Sequence, residues 1–225
     1  MGRATSSFSG RVRQPAERVT PAARPWIAYL VVFVASGCTL VLELVAGRIL
    51  APFVGVSIHT WTGIIGGVLA GISLGNYLGG VLADRVGSGR TLGILLGAGG
   101  LASFAVLPLA SGLGTLALRS YPHLFRIVLL TALLFFLPSL LLGMVPPMAI
   151  KLTLGDLGQA GKVVGRIYAA STVGSLVGTF ATGFVLIAHF GVRAIVLSVA
   201  LTLVVFGILA GALARDSTGS QAPSH

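Results

Sequence analysis

The chain reads as an all-α, polytopic membrane protein with six transmembrane helices, and three observations predict it. Of its 225 residues, 55% are hydrophobic and only 9% are charged, far below the roughly 25% charge of a soluble domain. Apolar runs of about 20 residues, the length that crosses a bilayer, occur six times, over roughly 26–47, 61–82, 91–111, 124–147, 165–189 and 192–213. Gly63, Gly67, Gly71, Gly75 and Gly79 stand at strict four-residue intervals in the second run. Residues four apart share a helix face, so these glycines form a groove where another backbone approaches closely. In water such a helix loses about 1 kcal/mol per interior glycine relative to alanine, whereas in lipid its backbone hydrogen bonds have no water to exchange with.

Residues 1–25 carry Arg3, Arg11, Arg13, Arg18 and Arg24 with Pro15, Pro21 and Pro25. That segment is too polar and proline-broken to pack, and reads as a disordered basic tail. The first span follows. Its single Cys38 is the only cysteine of the chain, so no intrachain disulfide forms. Ala35-Ser36-Gly37-Cys38 loosely resembles a lipoprotein processing site, but the leader is long and the apolar run continues past the cysteine.

Glu43 is the one acidic residue inside a predicted span. An intramembrane carboxylate costs roughly 2.5–3.5 kcal/mol or more at the helix centre, which makes it a functional candidate. Ser36, Thr39, Glu43 and Gly47 share a face and form a polar, small-residue stripe. Three readings stand side by side: a structural pair with an arginine of another helix, a substrate or proton site, and a simple interfacial position. Arg48 is rotated about 140° from Glu43 around the helix, an awkward angle for a pair.

Residues 51–61 between the first two spans are apolar for a connection. They either dip into the bilayer to cover a cavity or rest at the interface, where Trp61 belongs. His59 is a second candidate because a histidine can serve as a pH-sensitive gate, set against an ordinary hydrogen-bonding role. In the second span Ser73, Asn76 and Gly80 form a polar face beside the glycine groove. Asn76 either bonds across helices or meets a solute.

The fourth span contains Pro138 and Pro146-Pro147. Proline removes a backbone donor and kinks a helix, so a bend or an end is expected at Pro146. The fifth span repeats the small-residue spacing with Gly174 and Gly178. Matching Gly75 and Gly79 to Gly174 and Gly178 aligns spans one to three with spans four to six, as in two inverted three-helix repeats. The sixth span runs to about 214, and 215–225 reads as a short polar tail.

Orientation follows from the cations. With the N-terminus inside, Arg3, Arg11, Arg13, Arg18, Arg24, Arg85, Arg90, Lys151, Lys162, Arg166 and Arg215 are cytoplasmic. Arg48, Arg119, Arg126 and Arg193 are outside. This asymmetry predicts N-in and C-in in a bacterial inner membrane. It also accounts for the net charge of +10 as loops facing anionic lipid rather than nucleic acid, since no folded basic domain remains to bind one.

Gly80-Val81-Leu82-Ala83-Asp84-Arg85-Val86-Gly87-Ser88-Gly89-Arg90 resembles the signature loop of the major facilitator superfamily. That resemblance implies that Asp84, Arg85 and Arg90 form a network holding a conformational state. Three further segments extend the match. Glu43 to Ser57, Gly165-Arg166-Ile167-Tyr168-Ala169 and Gly183-Phe184, with the glycine span, resemble the membrane part of the fused major facilitator/spermidine synthase proteins over roughly residues 30–190. Ser171 stands where the resemblance leads one to expect asparagine, and residues 215–225 do not read as the family's soluble synthase half.

The resemblance implies a six-helix, major-facilitator-like half. No nucleophile–base constellation, metal-ligand cluster or phosphate loop is legible, so no enzyme activity, metal or cofactor is expected. Two functions remain. One is a half-size, transporter-like protein that moves a small cationic or amine solute as a homodimer. The other is a non-transporting membrane subunit, or an anchor, that docks other membrane proteins or a separately encoded synthase-like enzyme. The long glycine groove suggests that it receives a helix from outside the six-helix unit.

Overall fold

A computed structural model describes residues 25–115, 121–155 and 157–219. Among them every regular element is helical, and six helices are long and apolar enough to cross a membrane. They are α1 (Pro25–Val54), α2 (Ile58–Val86), α3 (Gly89–Thr115), α4 (His123–Thr153), α5 (Ala160–His189) and α6 (Val192–Gly219). Residues 1–24 and 220–225, with Arg119 and Asp156, lie outside the described residues. The expected tails therefore fall mostly outside them too, although Pro25 already opens α1 and α6 continues through Gly219.

The helices run past the apolar stretches at one end or both, and serines cap the starts of α2 and α3. Connections are correspondingly short. Val54 is followed by Gly55, whose φ of 71° only glycine adopts freely, and its N–H bonds the Ala51 carbonyl at 2.8 Å. Ser57 then caps α2 by accepting from the Thr60 N–H at 3.2 Å, while the Thr60 hydroxyl donates to the Gly55 carbonyl at 3.1 Å. The same device recurs between α2 and α3: Ser88 accepts from the Thr91 N–H, and the Thr91 hydroxyl donates to the Val86 carbonyl. Residues 51–61, read as an apolar loop, are thus mostly helix, with only Gly55–Ser57 as connection.

The interruption expected from Pro146-Pro147 falls at Met144, two residues before them. The regular helix of α4 breaks at Met144 and resumes at Val145, so that both prolines occupy the first turn of its last segment, which runs on to Thr153. Proline is tolerated in a first helical turn because its missing N–H has no intrahelical partner there. Two wider π-type turns, Ala132–Phe136 in α4 and Ala181–Leu186 in α5, interrupt the regular spacing.

Helix pairing is dominated by three contacts: α1 with α5, α2 with α4, and α3 with α6. All three are glycine seams. A methyl group at Gly37 would lie 3.0 Å from the Gly174 carbonyl oxygen, and one at Gly174 or Gly178 would run into the backbone of Phe33 or Gly37. Methyls at Gly93 and Gly207 would each strike the other's carbonyl, at 2.6 and 2.7 Å. The α2 column lies along α4: Gly63 on Ile127, Gly67 on Thr131, Gly71 on Phe136 and Ser139, Gly75 on Leu140 and Gly143, Gly79 on Met144 and Pro147. The groove expected to receive an outside helix is therefore filled from within the chain. α4 can do so because Gly143 answers the column, its own backbone lying against Ile72.

Val32, Val45 and Leu50 of α1, Ile64 of α2, Leu96 of α3, Phe135 and Met148 of α4, Ile167 of α5 and Leu203 of α6 make the buried core. The outward surface is also apolar: Leu69, Leu101, Phe184, Leu201 and Ile208 are each more than half exposed. A core with an equally apolar exterior is what a bilayer solvent allows, and the chain is a multi-pass membrane protein by length and composition of its helices.

Candidate functional site

The polar stripe on α1 is split among different tasks. The Ser36 and Ser171 hydroxyls share a hydrogen bond of 2.7 Å, tying α1 to α5. Thr39 is buried and donates back to the Ala35 carbonyl at 2.9 Å. Glu43, one turn further on, is half-buried and has no hydrogen bond or ion pair among the described residues. Gly47, the next, lies under the Trp61 ring, whose nearest carbons would be 2.9 and 3.0 Å from a methyl there.

Asn76 is exposed on the flank of α2, where Ser73 and Tyr77 are exposed too. With Gly71, Gly75 and Gly79 buried against α4, this flank faces away from the bundle, and the Asn76 amide has no partner among the described residues. α2 and α5 are the least covered spans, with 28% and 17% of their most apolar windows buried. His59 is exposed in the first turn of α2 and makes no hydrogen bond to Glu43 or Asn76. The structure therefore brings no two of Glu43, Asn76 and His59 into hydrogen-bond contact.

At the opposite end of the bundle, Asp84 accepts a hydrogen bond from Lys151 at 2.9 Å, the one ion pair among the described residues. Its partner comes from α4 rather than from Arg85 or Arg90, both of which are exposed. Lys151 reaches Asp84 across Gly87, where a methyl would stand 3.2 Å from the lysine's Cγ.

Sequence reasoning left Arg126 without a role. It is half-buried at the start of α4, and its terminal nitrogen donates to the Phe53 carbonyl at the C-terminal end of α1. The last carbonyls of a helix lack intrahelical donors and carry the negative end of the helix dipole. Arg126 thus caps α1 in trans. Nothing in the spacing of residues 73 apart signals this.

A cavity of about 460 Å³ opens beside that end, lined by Gly47, Arg48, Ala51, Val56, Thr60 and Trp61. Among the described residues no three of histidine, cysteine, aspartate and glutamate converge as metal ligands. The comparisons with known proteins add no relative: no family model, no curated protein and no solved structure matches the chain.

Proposed function

We propose that the chain is a half-size, transporter-like membrane protein that completes its solute path by pairing with a second copy. The observation that carries this reading is the Asn76 amide, exposed within a span and unpartnered among the described residues. Burying such an amide in an apolar medium without a hydrogen bond costs roughly 1–3 kcal/mol, which a protein partner at that flank relieves. Glu43, the only acid inside one of the six apolar runs and unpaired among the described residues, is the group for a cationic or amine solute or a coupling proton.

The helix pairing supports a half-transporter. Exchanging α1 with α4, α2 with α5 and α3 with α6 carries the α1–α5 seam onto α4–α2 and returns α3–α6 to itself. Inverted three-helix repeats behave in this way. The seams favour a register one turn away from the sequence alignment: Gly178 abuts Gly37 as Gly75 abuts Gly143, and Gly174 abuts Phe33 as Gly71 abuts Ser139. The family resemblance, the N-in and C-in orientation, the bacterial inner membrane and a non-enzymatic role belong to the same reading.

Uptake of a labelled amine into liposomes tests it, with Glu43→Gln as the control. Flux above empty liposomes that falls in the variant is the expected result; absence of flux, or unchanged flux in the variant, refutes transport. Asn76→Cys in a Cys38→Ala background tests the pairing, because a second copy at that flank brings the two thiols within oxidative cross-linking distance. A second reading, a non-transporting subunit or anchor for another membrane protein, is favoured by the sparse intramembrane charge. A stoichiometric foreign partner in mild detergent supports it over a clean homodimer.

A further inference from the structure

The cavity beside the α1–α2 turn has an unusual balance of donors and acceptors. The Thr60 hydroxyl is already committed to the Gly55 carbonyl and to Ser57. The side chains of Arg48 and Trp61 make no hydrogen bond or ion pair among the described residues, leaving five guanidinium N–H groups and one indole N–H as donors without protein acceptors. Gly47, Ala51, Val56 and the Trp61 ring supply apolar walls. No aspartate or glutamate occurs anywhere between Leu44 and Ala83, between Tyr121 and Gly155, or between Gly158 and Arg215. Arg126 and Arg193 lie towards the same end of the bundle, so this cationic end has no acid to neutralise it other than Glu43.

We propose that this cavity binds the phosphate of an anionic phospholipid. A guanidinium matches phosphate oxygens bidentately, and the indole N–H is a further donor to the same group. The apolar walls choose a lipid over free phosphate, because an esterified phosphate turns one face towards glycerol and chains, whereas a free ion demands donors on every side. The position agrees: Arg48 lies six residues, about 9 Å, before the end of α1, at the depth where arginine and tryptophan meet head groups. Gly47 sets the site's shape, since a side chain there would lift the ring off α1. The site stands whether or not the chain carries a solute.

Trp26 and Trp61 are the two tryptophans, so Trp26→Phe leaves Trp61 as the sole reporter in the full chain. Its emission, followed in uncharged detergent, should saturate with short-chain phosphatidylglycerol at about tenfold or more lower concentration than with phosphatidylcholine. Arg48→Gln should raise that half-point by about tenfold, the cost of one charge-assisted donor, while Arg48→Lys weakens it less. Val56 is 78% exposed on the rim, so Val56→Glu should abolish the response without touching the fold. Inorganic phosphate alone should leave the emission unchanged. An unsaturable response, equal half-points for the two lipids, or no effect of either Arg48→Gln or Val56→Glu would mean that Arg48 merely snorkels into the head groups. A full response to inorganic phosphate would make it a free-anion site; either outcome overturns the proposal.

Discussion

Ser36 of α1 and Ser171 of α5 share a hydrogen bond between hydroxyls 2.7 Å apart, beside the Gly37–Gly174 contact that brings the two backbones together. With the backbones this close, only short side chains fit between them. A double-mutant cycle of Ser36→Ala and Ser171→Ala should return a coupling of about 0.6 kcal/mol, the average for hydroxyl and amide bonds between membrane helices. Reversible unfolding in detergent measures it; a coupling of zero would place the contact outside the stabilising set.

The glycine column yields a graded series. Gly75→Ala and Gly79→Ala drive a methyl into the backbone of Leu140 and Met144, while Gly66 and Gly80 open onto free space. The first two should lower stability by about 1–3 kcal/mol, as overpacked cores do. The second two should be neutral or stabilising, because alanine is the better helix former. Thermal denaturation of the four variants reads the difference directly.

Lys151 and Asp84 are 49% and 76% exposed in their side chains. Their pair should therefore contribute less than about 1 kcal/mol, and added salt should erase it. Asp84→Asn should leave the melting temperature almost unmoved. A large loss would show that Asp84 acts on something besides the lysine.

Arg126→Ala removes the cap on α1 and leaves the Phe53 carbonyl without its donor. Hydrogen bonds to charged groups contribute about 1.5–3 kcal/mol. Faster hydrogen exchange at the amides of Val54, Gly55 and Val56 should report the loss locally, with Arg126→Lys intermediate.

Cys38 is 8% exposed within α1. A membrane-permeant maleimide should not label it in the folded protein and should label it fully once the protein is unfolded. Labelling at native temperature would show that the core packing around α1 opens.

The six spans were legible because an apolar run of bilayer length has few alternatives in a chain with so little charge. Helix ends were not: at α2 and α3 the serine caps at Ser57 and Ser88 start the helix before its hydrophobic stretch. The glycine column disclosed a close approach but not its occupant. Spacing within α2 fixes a face, while the partner is fixed by Gly143 and Ile72 across the α2–α4 seam. Much the same holds for the charges. Asp84 stood in a recognisable loop, yet its partner Lys151 lies 67 residues away. The Arg48–Trp61 cavity exists only because the short turn at Gly55 folds α2 back along α1.

The two flanks of α2 obey opposite rules of change. Along the buried line from Gly63 to Gly79 even one methyl group meets another backbone or side chain, whereas Leu69, Leu74 and Tyr77 project outward with room for any apolar replacement. A library covering every substitution in this helix should therefore show tolerance that rises and falls with a four-residue beat. The phase of that beat would report, from survival alone, which side of α2 lies against α4.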